Sequence, residues 1–177
     1  MAVTVSDPKT PLLVLGGAKS GKSTWAESVV RGFAPPYIYV ATARVLDDEM
    51  KLRIERHRES RKGMWRTIES PTGLQDTLKS LNGRRGAVLL DCITLWLSNL
   101  LCSESTEPEA AVEELYEVIE AVDYPLVIVS NEVGAGIVPD NPLARKFRDL
   151  SGSTNQGLAR ICASVYLVTA GLPMRLK

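Results

Sequence analysis

The fold of this chain is decided by the stretch Gly16-Gly17-Ala18-Lys19-Ser20-Gly21-Lys22-Ser23, which follows the apolar residues 12–15. It matches the phosphate-loop pattern, in which a glycine and four further residues precede Gly-Lys-Ser. The glycines allow a tight turn whose N–H groups point at a triphosphate. Lys22 supplies positive charge for the β- and γ-phosphates, and the Ser23 hydroxyl can bind Mg²⁺. Helix-forming residues follow directly, so the pattern predicts a nucleoside triphosphate at a helix N-terminus, where the helix dipole favours anions.

Strands and helices alternate along the rest of the chain. Apolar runs predict strands at residues 12–15, 37–42, 87–91, 126–129 and 165–168, with short strands at 65–69 and 174–177. Helices are predicted at residues 22–31, 47–62, 72–81 and 95–101, from Pro108 onward, and after Asn141-Pro142, where Leu143, Phe147, Leu150, Leu158 and Ile161 are expected to face inward. This alternation predicts one α/β domain over residues 1–177, with a mostly parallel sheet covered on both faces and residues 1–10 as a flexible leader.

Polar residues follow several predicted strands, and the carboxyl ends of parallel strands are where such sheets bind ligands. Thr42, Asp91 and the Asn131-Glu132 pair all occupy such ends. Asp91 suits the acid that orders Mg²⁺ beside a phosphate loop; an ordinary helix N-cap is the alternative. Asn131-Glu132 could hold substrate, orient water or simply form a turn. The sequence therefore predicts one crevice built from four separate stretches.

His57 is the only histidine of the chain. It shares a helix face with Met50 and Ile54, which is typical of a packed core residue. Arginines also surround it, at Arg53, Arg56, Arg58 and Arg61. Arginines around an imidazole bind phosphate anions and lower the proton affinity of the ring, which leaves it nucleophilic. Spacing alone favours neither alternative, since the arginines could equally form a solvated face paired with Glu55 and Glu59.

The overall composition narrows the classes of partner and compartment. The 177 residues contain 21 Lys and Arg against 21 Asp and Glu, so balanced charge gives no reason to expect a nucleic acid or an anionic membrane surface. The three cysteines lack metal-ligand spacing, and buried reduced thiols in a cytoplasmic protein are expected. The polar start does not read as a signal peptide, and no apolar run reaches the ~20 residues that a membrane span needs.

Several segments match one known family in order. They are GGAKSGKS from residue 16, YVATA from 39, LDDEM from 46, RIERHRESR from 53, WRTIE from 65, LLDCIT from 89 and SNEVGAGIVPDNPLARKFRDLSGSTNQGLA from 130. With these motifs the chain resembles the bifunctional adenosylcobinamide kinase/adenosylcobinamide-phosphate guanylyltransferases of cobalamin biosynthesis. The last segment is far more specific than the phosphate loop, which many unrelated enzymes carry.

This resemblance implies a RecA-like phosphate-loop nucleoside triphosphate hydrolase fold, a homotrimer and two reactions. In the first, the terminal phosphate of ATP or GTP passes to the hydroxyl of the aminopropanol arm of adenosylcobinamide. In the second, the family's histidine, here His57, attacks the α-phosphate of GTP and carries GMP. That GMP passes to adenosylcobinamide phosphate and gives adenosyl-GDP-cobinamide. The implied partners are thus a corrinoid and nucleoside triphosphates.

The resemblance and the loop chemistry together imply the site residues. His57, Lys22 and Asp91 are the expected catalytic residues, and Ser23 and Asp91 the expected Mg²⁺ ligands. The residues expected to border the nucleotide are Gly16, Gly17, Ala18, Lys19, Ser20, Gly21, Lys22, Ser23, Ala41, Thr42, Ala43, Arg58, Glu59, Ser60, Arg61, Glu69 and Asp91.

Two other classes of protein compete with this interpretation. A small-molecule kinase of the same fold would use Lys22, Ser23 and Asp91 but leave His57 as packing. A non-enzymatic nucleotide switch or a RecA-like motor on nucleic acid is the other alternative. The sequence lacks the Asn-Lys-x-Asp element that reads guanine in regulatory GTPases, and its balanced charge disfavours the motor.

Overall fold

The computed structural model describes residues 8–44, 59, 63–103 and 107–177. The strands are β1 (Leu12–Gly16), β2 (Tyr37–Ala41), β3 (Trp65–Glu69), β4 (Ala87–Asp91), β5 (Leu126–Asn131), β6 (Ser164–Thr169) and β7 (Leu172–Arg175). The helices are α1 (Lys22–Val30), α2 (Leu74–Lys79), α3 (Ile93–Leu101), α4 (Pro108–Glu120) and α5 (Pro142–Ile161). Residues 1–7 of the predicted leader lie outside the described residues. The helix predicted at residues 47–62 also lies outside them, with the exception of Glu59.

Within these ranges the strands form one sheet in the order β3-β2-β4-β5-β1-β6-β7. All neighbouring pairs are parallel except β6 and β7. After β1 the chain continues to β2, which lies on one side of β1 in the sheet. After β5 it continues to β6, which pairs with β1 on the other side, so the strand order reverses at β1. Ligands of open α/β sheets bind outside the carboxyl ends of the strands at such a reversal. The topology therefore favours a site at the end of β1.

Helices cover both faces of the sheet. On one face α2 to α5 contribute buried side chains such as Leu74, Trp96, Leu115 and Leu158 to a single apolar cluster. On the opposite face α1 packs through Ala26 and Val30, among others, against β1, β4 and β5. Strands buried on both sides explain why the central runs are continuously apolar rather than alternating. The predicted three-layer, mostly parallel α/β architecture is confirmed.

The structure contradicts two expectations about single residues. The helical pattern places Leu143 inward, but this side chain is 52% exposed, because α5 buries side chains only from Leu150 onward. Cys102, expected to be a buried thiol, is exposed because it lies at the C-cap of α3. None of the helices in the described part of the chain combines the length and apolar character that a membrane crossing requires.

Gly157 allows close packing of α5 on α4. A Cβ at this position would lie 2.1 Å from the hydroxyl of Tyr116, which donates to the Thr154 carbonyl at 3.2 Å. We expect Gly157→Ala to lower the free energy of unfolding by about 1–3 kcal/mol, because the tyrosine ring must move. The control Gly152→Ala, where a Cβ meets no atom within 4 Å, should raise it by up to ~1 kcal/mol. Urea denaturation measures both, and equal stabilities would contradict the close packing.

Candidate active site

The phosphate loop joins β1 to α1 at the carboxyl edge of the sheet. A Cβ on Gly16 would lie 2.6 Å from the carbonyl oxygen of Val168, so the approach of β6 requires glycine there. Gly21, the N-cap of α1, has a φ of 91°, which glycine adopts without strain. No side chain caps α1, and its first turn holds no acidic residue. The positive end of the helix dipole is therefore left to a ligand anion.

Lys22 is the most buried charged residue of this loop, with 8% of its surface exposed. Its Nζ donates to the Gly17 carbonyl at 3.0 Å, so the side chain folds back over the loop. A buried ammonium group is costly unless it meets an acceptor or an anion. The Gly17 carbonyl is such an acceptor, so the positive charge of Lys22 is held over the phosphate loop.

Asp91 ends β4 on the α1 side of the sheet. Leu89, two residues before Asp91, packs in the apolar cluster between α1 and the sheet, and residues two apart on a strand share a face of the sheet. The Tyr39 hydroxyl donates to its Oδ2 at 2.9 Å, and the Thr42 N–H donates to its main-chain carbonyl at 3.3 Å. Ala41 pairs in register with Asp91 on one side and with Glu69 on the other. The ends of β2, β3 and β4 thus lie side by side.

A network of polar side chains fixes the backbone just beyond these strand ends. The buried Thr42 hydroxyl donates to the Cys92 carbonyl at 2.7 Å and accepts from the Cys92 N–H at 2.9 Å. Asn99 donates to the Thr42 carbonyl at 2.8 Å. Asn131 donates to the Thr94 hydroxyl and to the Cys92 sulfur. Sequence reasoning missed this network, although Asn99, a polar residue within an apolar helix, could have indicated a buried hydrogen bond.

The Cys92 thiol lies beside the site but is not a nucleophile. The pKa of the thiol is raised to about 11, mainly by burial and less strongly by the negative charge of the Asp91 carboxylate. Hydrogen bonding from Thr94 and Leu95 and the charge of Lys22 act in the opposite direction. The thiol therefore stays protonated at neutral pH, whereas the thiolate is the reactive form.

The end of β5 joins the same site. The Glu132 N–H donates to the Gly16 carbonyl at 3.1 Å, which ties β5 to the phosphate loop. The Glu132 carboxylate accepts from the Gly134 N–H at 2.7 Å and so closes a turn. Behind it, Asn155 accepts from Ser130 at 2.7 Å and donates to the Asn131 carbonyl at 3.1 Å. The Gly134 hydrogen bond fits the turn expected at Asn131-Glu132, and the roles of these residues in holding substrate or orienting water stay predictions.

Most of the predicted site residues that the structure describes lie together. The phosphate loop, Ala41, Thr42, Glu69 and Asp91 meet at the carboxyl edge, and Ala43 directly follows Thr42. Glu59 is described as an exposed helical residue. His57, Arg58, Ser60 and Arg61 lie outside the described residues, and their roles stay predictions. Tyr39, whose hydroxyl reaches Asp91, was not singled out by sequence reasoning.

Solved structures resemble this fold at low sequence identity. A protein from Pyrococcus horikoshii OT3 superposes with a TM-score of 0.53 and 12% identity, over 97% of this chain and 86% of that one. An ATPase from a bacterial type III secretion system also gives a TM-score of 0.53, with 13% identity, over 89% of this chain and 50% of that one. At these identities the likeness shows the fold alone, and it agrees with the predicted RecA-like phosphate-loop fold.

Sequence relatives are far closer. The bifunctional adenosylcobalamin biosynthesis protein CobP of Pseudomonas aeruginosa is 42% identical over 93% of this chain and 96% of its own length. CobU of Salmonella typhimurium, with the same description, is 39% identical over 94% of this chain and 99% of its own length. The family model described as cobinamide kinase / cobinamide phosphate guanyltransferase matches residues 12–176. The chain therefore belongs to the family of cobinamide kinases and cobinamide phosphate guanylyltransferases, the transferase family that its motifs predict.

Proposed function

We propose that this chain catalyses two successive transfers. It phosphorylates adenosylcobinamide with ATP or GTP and then moves GMP from GTP onto the product, which gives adenosyl-GDP-cobinamide. The observation that carries the proposal is the family match over residues 12–176, which includes the phosphate loop, His57 and the specific segment from residue 130. The described geometry supports it, because a phosphate loop and an acidic strand end meet at one edge of the sheet.

The phosphate loop and Lys22 serve the first transfer. The hydroxyl oxygen of the aminopropanol arm attacks the γ-phosphorus, the bond to the nucleoside diphosphate breaks, and the hydroxyl proton is released. Such a reaction needs positioning and neutralisation of charge more than covalent help. Lys22 would exchange the Gly17 carbonyl for phosphate oxygens. The Ser20 hydroxyl, whose oxygen is buried without a hydrogen-bond partner, could donate to an oxygen of a bound phosphate.

Mg²⁺ is the proposed cofactor, held by Ser23 and Asp91. Both residues offer oxygen atoms, which Mg²⁺ prefers, and oxygen atoms of the nucleotide and of water would supply its other ligands. Among the described residues no cluster of three or more His, Cys, Asp and Glu side chains forms, so the donors suit Mg²⁺ on a nucleotide better than an all-protein metal cage. When bound, Mg²⁺ neutralises phosphate charge and orients the triphosphate.

His57 is the proposed nucleophile of the second transfer. An imidazole nitrogen attacks the α-phosphorus of GTP, pyrophosphate leaves, and GMP is held by a P–N bond. A phosphate oxygen of adenosylcobinamide phosphate then attacks the same phosphorus, the P–N bond breaks, and the imidazole is restored. A covalent intermediate divides one difficult transfer into two easier ones. Support comes from the family motif around His57, the only histidine of the chain.

The remaining site assignments are also proposals. Beyond the phosphate loop, we assign the border of the nucleotide to Ala41, Thr42, Ala43, Arg58, Glu59, Ser60, Arg61, Glu69 and Asp91. The adjacent register of Ala41, Glu69 and Asp91 supports this assignment for the strand ends. Arginine side chains at 58 and 61 would bind phosphate through planar, charged donor groups.

A product assay tests the two activities. The protein is incubated with adenosylcobinamide, ATP, GTP and Mg²⁺. The corrinoids are then separated and identified by mass spectrometry. We expect adenosyl-GDP-cobinamide, and adenosylcobinamide phosphate alone when GTP is omitted. Accumulation of the phosphate with both nucleotides present would leave only the kinase. No corrinoid product, together with salt-sensitive DNA binding, would favour a motor on nucleic acid instead.

A homotrimer is the proposed assembly. The loop before α5 exposes Ile137 by 97% and Val138 by 58%, and Leu143 in the first turn of α5 is also exposed. A groove of about 200 Å³ between α3 and α5 is lined by further apolar side chains, including Leu101, Leu143 and Phe147. Large exposed apolar patches mark interaction sites. We expect sedimentation equilibrium to give three times the 19.3 kDa chain mass, and Ile137→Asp to lower it. A wild-type mass of one chain would contradict the proposal.

We also propose that residues 1–177 form one domain and that the protein works in the cytoplasm. Cys92, Cys102 and Cys162 are all free thiols, which is typical of a reducing compartment. A single calorimetric transition is expected for one domain, and two separate transitions would contradict it. Recovery of the activity from a secreted or periplasmic fraction would contradict the compartment.

A further inference from the structure

Tyr39 is held rigidly beneath the site. Its side chain is 5% exposed and packs in the apolar cluster under α1. Its ring meets Trp65 edge-on, with the centroids 6.2 Å apart and the planes at 85°. A phenol ring confined in this way can move its hydroxyl only by displacing its neighbours. The hydroxyl of Tyr39 therefore occupies one fixed position near the end of β4.

In that position the Tyr39 hydroxyl contacts the Asp91 carboxylate. The Tyr39 hydroxyl donates to Oδ2 at 2.9 Å, across strands that are neighbours in the sheet. The terminal torsion of an aspartate is broad, so the side chain alone does not fix the plane of its carboxylate. A fixed donor on Oδ2 restrains that plane, and in the proposed metal site the cation would then bind through Oδ1.

We propose that Tyr39 is a positioning residue for the metal site, which it serves by holding the Asp91 carboxylate in the orientation that binds Mg²⁺ on the nucleotide. This inference rests on the Mg²⁺ site of the proposed function. Groups that hydrogen-bond to a metal ligand orient it, and their loss typically lowers metal affinity or activity by about 10–100-fold. In this proposal Tyr39 acts through the Asp91 carboxylate rather than by contact with the metal or the substrate.

Tyr37 provides a matched control on the same strand. It is two residues before Tyr39 and so shares its face of the sheet. It also packs on Trp65, with a centroid distance of 5.4 Å. Its hydroxyl, however, donates to the backbone carbonyls of Arg31 and Phe33 at 3.3 and 3.1 Å. Tyr37→Phe and Tyr39→Phe each remove the hydroxyl of a packed tyrosine of β2, but only the Tyr39 hydroxyl is hydrogen-bonded to Asp91.

Calorimetric titration of Mg²⁺ into the protein with bound β,γ-imido-ATP tests the inference. The proteins compared are the wild type, Tyr39→Phe, Tyr37→Phe and Asp91→Asn. We expect Tyr39→Phe to weaken Mg²⁺ binding by about 10-fold or more. Tyr37→Phe should bind Mg²⁺ as the wild type does. In the kinase assay, Tyr39→Phe should raise the KM for Mg²⁺ more than it lowers kcat at saturating Mg²⁺.

The controls separate positioning from damage to the fold. Affinity for β,γ-imido-ATP without metal should be unchanged in Tyr39→Phe, whereas a disturbed site would lower it as well. Equal weakening in Tyr37→Phe and Tyr39→Phe would overturn the inference, because both would then act through β2 packing. Wild-type Mg²⁺ affinity in Tyr39→Phe with a loss in Asp91→Asn would overturn it and leave the metal site standing. Wild-type affinity in both variants would overturn the proposed Mg²⁺ ligand itself.

Discussion

Lys22→Ala is expected to lower kcat/KM by about 10²–10³-fold in both transfers, because each builds charge on phosphates held by one loop. The lysine is nearly buried and its Nζ already rests on the Gly17 carbonyl at 3.0 Å, so its charge is held over the loop before any nucleotide arrives. A preorganised charge of this kind costs little reorganisation during the reaction. Steady-state assays of phosphate transfer and GMP transfer measure the two losses separately.

Two further variants make the Lys22 experiment specific. Lys22→Met keeps most of the apolar stem and removes the charge, so it should lose activity as Lys22→Ala does while unfolding like the wild type. Lys79→Ala removes a surface lysine that pairs with Glu114 at 2.7 Å on the opposite helical layer, and it should leave both activities intact. A Lys22 variant that loses phosphate transfer but keeps GMP transfer would contradict a shared phosphate loop.

His57→Ala is expected to abolish GMP transfer and spare phosphate transfer. Removal of a covalent nucleophile costs at least about 10³-fold, because the remaining groups cannot form the intermediate. The first transfer needs no covalent help from the protein, so its rate is the internal control for folding and nucleotide binding. The assay uses adenosylcobinamide phosphate as the acceptor, so that the second transfer does not depend on the first. Loss of both activities in this variant would contradict the separate role of His57.

Local patterns were enough to predict the elements that position the site. The strand before the phosphate loop and the helix after it lie where the spacing places them, since a buried strand, a glycine turn and helix-forming residues all act over short distances. The helix predicted after Asn141-Pro142 is α5, and Asn141 is its N-cap: the side chain accepts from the N–H groups of Leu143 and Ala144 at 2.8 and 3.2 Å. Capping depends on residues two or three apart, which a sequence displays directly.

Features that depend on strand order could not be predicted in this way. The bond from Tyr39 to Asp91 joins residues 52 positions apart and exists because β2 lies beside β4. No local pattern encodes that adjacency. Leu143 shows a related limit, since periodicity tells which residues share a helix face but not whether another element covers it. Local patterns therefore indicate which residues lie at the carboxyl edge of the sheet better than which side chains hold them there.

The covalent intermediate is the most direct test of the proposed chemistry. The wild-type protein is incubated with Mg²⁺ and GTP labelled at the α-phosphorus, and then denatured and separated from free nucleotide. We predict that each chain carries one label and that acid removes it. Addition of adenosylcobinamide phosphate should transfer the label to the corrinoid. GTP labelled at the γ-phosphorus should leave the protein unlabelled. The label should be absent from His57→Ala. An unlabelled wild type, or a His57→Ala variant that still carries the label, would contradict a histidine-bound GMP.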